Sequence, residues 1–271
     1  MAIDINTLWN FSNPALSEQN FRAALASAKG DDALILQTQI ARSHGLRKDF
    51  VTAQAVLREV QSQLAGAGFE AQVRYWLELG RTYSSATHTA ASQTAEVKDQ
   101  ARAAYGQALA LAKKGQLDGL AVDTIHMLAF VDTAPADALK WAHEALAVVQ
   151  SSKQPAAQAW EGSIRNNMGV ALHQLGRYDE ALAEFQKALI EREKAGKPER
   201  IRVAQWMIAW TLRALNRTAQ ALQIQLRLER ENAAAGQPDP YVFEELEILY
   251  RVQGEPERAA HYSQLRAAAA P

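Results

Sequence analysis

The chain has 271 residues, 48% of them hydrophobic and 22% charged, with a formal net charge of −1. That supplies apolar material for a sizeable core, while the near-zero charge excludes the basic footprint of a domain devoted to nucleic acid. Cysteine is absent, which excludes a disulfide framework, a thiolate zinc site and a cysteine nucleophile.

Alanine and leucine dominate, joined by Glu, Gln, Lys and Arg, the strong helix formers. No window approaches the ~18 consecutive apolar residues of a membrane span. The start, Met1-Ala-Ile-Asp-Ile, lacks the basic stretch and apolar run of a secretory leader. A cytoplasmic protein with no membrane segment is expected. In chain order, residues 16–28 read as a lone amphipathic helix whose inner face is Phe21, Ala24 and Leu25. Helix pairs follow, each with an alanine opening its second helix: Ala53, Ala101, Ala138, Ala181, Ala221 and Ala259, spaced 48, 37, 43, 40 and 38 residues apart. Pro135, Pro155, Pro198, Pro240 and Pro256 fall where helices should start, the place proline tolerates best. Pro14, Pro238 and Pro271 are expected in loops or at the terminus. Residues 84–94 (SSATHTAASQT) form a low-complexity patch expected to be a flexible loop.

The best-formed pair is residues 164–191, IRNNMGVALHQLGRYDEALAEFQKALIE. Small residues (Gly169, Ala181, Ala188) sit where the two helices must touch, and Met168, Leu172 and Phe185 sit one turn away. This resembles the tetratricopeptide repeat (TPR), which has a period of about 34 residues. The longer spacing here is similar to the long-repeat arrays of kinesin light chains and bacterial peptide sensors. The expected fold is therefore all-α: a right-handed α-α superhelix of about six helix-turn-helix repeats and about thirteen helices. It would be one solenoid domain over 1–271, with an N-terminal segment and lone helix (1–32), five repeats (33–235) and a degenerate capping repeat (236–271). The last pair loses apolar positions to Ser263 and Arg266, as suits a solenoid end.

By that resemblance, first helices line a concave groove. Their stripe positions include Ile35, Thr38 and Arg42, then Arg74, Leu77 and Arg81, then Asp123, His126 and Phe130. Further on come Asn166, Asn167, Val170 and His173, then Trp206, Trp210 and Arg213, then Tyr241 and Glu244. Residues three and four apart share a helix face, so each set forms one stripe. Trp206 and Trp210, one turn apart, would leave a large apolar area uncovered unless a neighbouring helix or a partner lies over them. The Asn166-Asn167 pair carries amides that both donate and accept, so it can grip a peptide backbone without reading sequence. Arg42, Arg74 and Arg81 suggest that an extended ligand places acidic groups near the first two repeats. The lysines of the chaperone-binding carboxylate clamp are missing from the required positions.

No phosphate-cradling loop, G-x-S-x-G elbow or zincin motif occurs; His143-Glu144 lacks the closing histidine, Ala147 standing there. No metal, cofactor or catalytic residue is expected. The leading expectation is a non-catalytic scaffold whose groove holds a protein or peptide partner. The alternatives are a regulatory sensor for a short peptide or small molecule, and an α-toroid hydrolase using Asp123, Glu244 and Glu245. The sensor reading is lowered because about 30 residues precede the first repeat, too few for a helix-turn-helix output domain. A structural role would have the last helix or the Trp pair join two copies as a homodimer.

Overall fold

A computed structural model describes residues 3–269; Met1, Ala2, Ala270 and Pro271 lie outside the described residues. Chain contacts divide it into two compact units, 1–160 and 161–271. Thirteen α-helices of twelve residues or more occur among the described residues, with one α-helix of four residues, three short 3-10 turns and no strand.

In the first unit, α1 (Pro14–Leu25) precedes three helix pairs: α2 (Gly30–Leu46) with α3 (Phe50–Gln61), α4 (Phe69–Tyr83) with α5 (Ala95–Lys114), and α6 (Asp118–Val131) with α7 (Pro135–Ser151). The short α8 (Pro155–Gln158) ends the unit. First helices pack on one another, α2 on α4 and α4 on α6, and each also packs on its own second helix. Pro14, expected in a loop, instead opens α1, because Asn13 caps it by accepting a hydrogen bond from the Leu16 amide. Residues 84–94 are tied to the scaffold. His88 stacks on Phe50 with ring centroids 4.1 Å apart, its Nε2 donates to the Thr82 carbonyl, and the Tyr105 hydroxyl donates to the Ser84 carbonyl.

The second unit holds α9 (Glu161–Gln174) with α10 (Tyr178–Ala195), α11 (Pro198–Ala214) with α12 (Thr218–Ala234), and α13 (Pro240–Val252) with α14 (Pro256–Ala269). Here too first helices meet, α11 on α13. Only Ala259 and Tyr262 of α14 are buried, in line with a polar end helix. The architecture is an all-α solenoid of TPR-like repeats.

In two of the pairs a glycine explains how closely the helices pack. A Cβ on Gly169 would lie 2.6 Å from the Phe185 ring, and one on Gly80 would lie 2.5 Å from the Tyr105 ring. An aromatic ring of the second helix thus rests directly on first-helix backbone, and Phe185 and Tyr105 are both fully buried. Five of the six aligned alanines are at most 4% exposed. Ala138 is half-buried; only three residues separate α6 from α7, and Leu139, Ala142 and Ala145 take the inner places.

Four of the six turns inside the pairs share one geometry. Lys48, Gly176, Asn216 and Gly254 adopt left-handed backbone with φ of 64°, 73°, 58° and 75°. The following amide donates back five residues in each, from Asp49 to His44, Arg177 to Leu172, Arg217 to Leu212 and Glu255 to Tyr250. This is the Schellman ending, which satisfies helix carbonyls left open at the C-terminus.

Candidate functional site

In the first unit the chemistry gathers on the face of the first helices. Arg81 bonds Glu78 and Asp123, both at 2.5 Å, bridging α4 to α6. Burial alone would lower the Arg81 pKa; the Asp123 and Glu78 carboxylates overcome it and hold it raised. Burial likewise would raise Asp123, but Arg81 and Arg42 hold its carboxyl below the usual value. Arg74 pairs with Glu70 at 2.9 Å. His126 lies edge-on to Phe130 and tilted against Trp160, both with centroids at 5.3 Å. Burial, only partly opposed by Asp123, pushes the His126 pKa down, so the ring is neutral at physiological pH.

In the second unit an aromatic ladder runs across three first helices. His173 of α9 stacks on Trp210 of α11 with ring centroids 3.3 Å apart. Trp210 stacks on Trp206 at 5.9 Å, and Trp206 meets Tyr241 of α13 at 6.3 Å and 75°. Val203, Trp206, Met207, Asp239 and Tyr241 surround a hollow of about 400 Å³. Beside the ladder, Arg213 grips Glu245 with both nitrogens at 2.8 and 2.7 Å. Burial, then the Arg213 cation, depresses the His173 pKa to about 4. Several polar atoms here are shielded from water and unpartnered: Asn166 Oδ1, His173 Nε2, Gln205 Oε1 and Trp206 Nε1. Such orphans are rare in folded proteins.

Residues 160–229 match the family described as Tetratricopeptide repeat. That stretch is about a quarter of the chain, and the helix pairs on either side of it repeat the same TPR-like architecture. Similar solved structures agree. A Pyrococcus horikoshii signal-transduction ATPase with numerous domains, bearing a tetratricopeptide repeat sensor, superposes with a TM-score of 0.72 at 11% identity. The match covers 94% of this chain but 39% of that one, so the chain spans well under half of that relative. The apo form of RapI matches with a TM-score of 0.72 at 12% identity, covering 98% of this chain and 75% of that one. A Rap protein complexed with competence and sporulation factor gives 0.60 at 16%, covering 93% and 69%. No curated protein matches this chain in sequence.

Set on this TPR fold, the expected stripe residues divide. Within the first unit, Arg74, Arg81, His126 and Phe130 are all half-buried on the first-helix face. Ile35, Thr38 and Leu77, expected in the groove, are buried, because α2 and α4 are sandwiched between neighbours and present a narrower open strip than an isolated stripe suggests. In the second unit, Trp206, Trp210, His173 and Tyr241 come together in the ladder, with Asn167, Val170 and Glu244 half-buried and Asn166 buried. The tryptophans are partly covered by their ring neighbours. Asp123 and Glu245 are each locked to an arginine; the lowered Asp123 pKa is the wrong direction for a general acid. Among the described residues no group of three or more His, Asp or Glu is placed to hold a metal ion.

Sequence reasoning missed Trp9, Phe11 and Trp160. Trp9 and Phe11 stack 4.7 Å apart beneath the Arg42 guanidinium, and Trp9 Nε1 donates to Gln39. The segment before α1 carries no helical period, so only folding reveals its contact with α2. Trp160 lies in a two-residue break between α8 and α9, and no glycine or proline at Ala159-Trp160 marks that break.

Proposed function

We propose that this protein is a non-catalytic scaffold that holds an extended peptide of a partner along its first helices, without metal or cofactor. The observation that carries this reading is the His173–Trp210–Trp206–Tyr241 ladder, which ends on the exposed ring of Tyr241. Partly covered aromatics supply large contact area at low entropic cost, and binding hot spots favour Trp, Tyr and Arg. The Asn167 amide on α9, half-buried, is of a type that both donates and accepts, which suits a peptide backbone of any sequence. The repeats of about forty residues resemble those of kinesin light chains, and a cytoplasmic site of action belongs to this reading.

The test is partner capture. Trp206→Ala and Asn167→Ala should each lose the partners that wild type retains while helicity by circular dichroism is unchanged; recovery of the same partners by both would reject the groove. A second reading, a sensor that binds a short peptide or small molecule, draws on the fold likeness to the repeat sensor of the archaeal ATPase and to the Rap protein complexed with competence and sporulation factor. Scattering curves that shift when ligand is added would favour the sensor over the plain scaffold. Light scattering across a concentration range tests a homodimer.

A further inference from the structure

Three arginines gather on the first-helix face of the first unit, and they are not equally satisfied. Arg74 has Glu70 at 2.9 Å. Arg81 has Glu78 and Asp123 at 2.5 Å each. Among the described residues Arg42 has Glu78 alone as an ion-pair partner, at 3.8 Å, and that oxygen already serves Arg81. The Arg42 side chain is 24% exposed, and its Nε is shielded from water with no partner. Its guanidinium carbon sits 5.4 Å from the Trp9 ring and 5.6 Å from the Phe11 ring, so one side is closed by aromatic faces. Burial, then the nearby Arg81 cation, pushes the Arg42 pKa down from the usual value. A guanidinium keeps its proton all the same, so this charge cannot be relieved by neutralisation.

Two hollows adjoin it. One of about 210 Å³ is walled by His126, Phe130 and Trp160; another of about 480 Å³ is walled by Trp9 and Phe11. Arg42, Asp123 and Trp160 belong to both walls, so Arg42 stands where the two meet. A planar fork with unused donors, beside space and aromatic walls, matches a carboxylate. A phosphate dianion would meet stronger repulsion from Glu78 and Asp123 in the same walls.

We propose that Arg42 holds a carboxylate of the bound peptide, supplied by an Asp or Glu side chain or by the peptide C-terminus; this rests on the peptide-binding reading above. Arg74 and Arg81 are structural cations already paired within the fold.

The experiment titrates the full chain with acetyl-Ala-Ala-Glu-Ala-Ala-amide, its Gln counterpart, and alanine peptides ending in a free carboxylate or an amide. The readouts are the NMR resonances of the Arg42 side-chain Nε–H and of the Trp206 and Trp210 indoles. Saturable movement of the Arg42 resonance is expected, with affinity for the Glu peptide on the order of tenfold above that for the Gln peptide if a side-chain carboxylate is the source. The same ratio between free-acid and amide peptides would identify the C-terminus. Arg42→Met, which keeps the aliphatic stem over Trp9, should erase the preference, and Arg74→Met should retain it. Equal binding of the charged and neutral peptides by wild type overturns the proposal without any variant, as does a preference that survives Arg42→Met. Movement of the Trp206 and Trp210 resonances alone overturns it while leaving the peptide-binding reading intact, and movement of none of the three overturns both.

Discussion

Single side chains carry the sharpest consequences. His173 is held neutral by burial against Trp210 and by the Arg213 cation, its pKa falling from 6.5 to about 4. Above 6.5 the folded and unfolded chains are both neutral here, and the contribution to stability is fully present. As pH drops toward about 4, the unfolded chain takes up a proton that the folded ring refuses, so stability is lost across that window. His173→Gln should therefore unfold with a shallower acid dependence than wild type in denaturant titrations between those limits. An unchanged slope would mean that the stacked ring protonates freely. At the same scale, Gly169 was legible in the sequence as a contact point, and the Phe185 ring against its backbone is the reason. The pairing of Arg81 with both Glu78 and Asp123 was not legible, since Asp123 lies 42 residues along the chain and no local period links the two.

At the level of elements, Pro135, Pro198, Pro240 and Pro256 each open a helix of a pair where the sequence placed one, because proline geometry is a local requirement, whereas Pro155 opens only the short α8 and its pair begins at Glu161. The Schellman turns are local too, but two of them use residues that pay a conformational cost. Lys48 and Asn216 occupy left-handed backbone at φ 64° and 58°, where Gly176 and Gly254 sit without strain. Lys48→Gly should raise stability by about 0.5–1 kcal/mol, the relief of the Cβ clash exceeding the added freedom of the unfolded chain. Thermal melts of the two proteins decide it, and a lower melting temperature for the glycine variant would contradict it. The break at Ala159-Trp160 is the element-scale feature that local signals did not mark.

For the whole molecule, the repeat arrangement implies that stability is distributed through neighbouring contacts and not through one central core. Separate clusters bear this out: Phe21, Leu36 and Leu57 in one, Tyr105 and Leu128 in another, Leu228 and Leu246 in a third. Phe185→Ala, at a fully buried site, should cost about 3–5 kcal/mol locally. Hydrogen exchange should then speed up in α9 and α10 far more than in α4 and α5. Equal acceleration throughout would show that all 271 residues unfold as one unit.

The sequence by itself determined the helical class, the pairing of helices and the composition of the first-helix stripes, because periodicity, capping and small-residue contacts act within forty residues or so. Tertiary structure decided which members of that stripe are buried, which are paired and which stay open. It buried Ile35, Thr38 and Leu77, joined His173 to the tryptophans, and paired Arg74 and Arg81 internally while leaving Arg42 loosely matched beneath two rings from the N-terminal segment. Those outcomes depend on which side chains meet across sequence distances with no repeat signal, where charge compensation and burial are settled by packing.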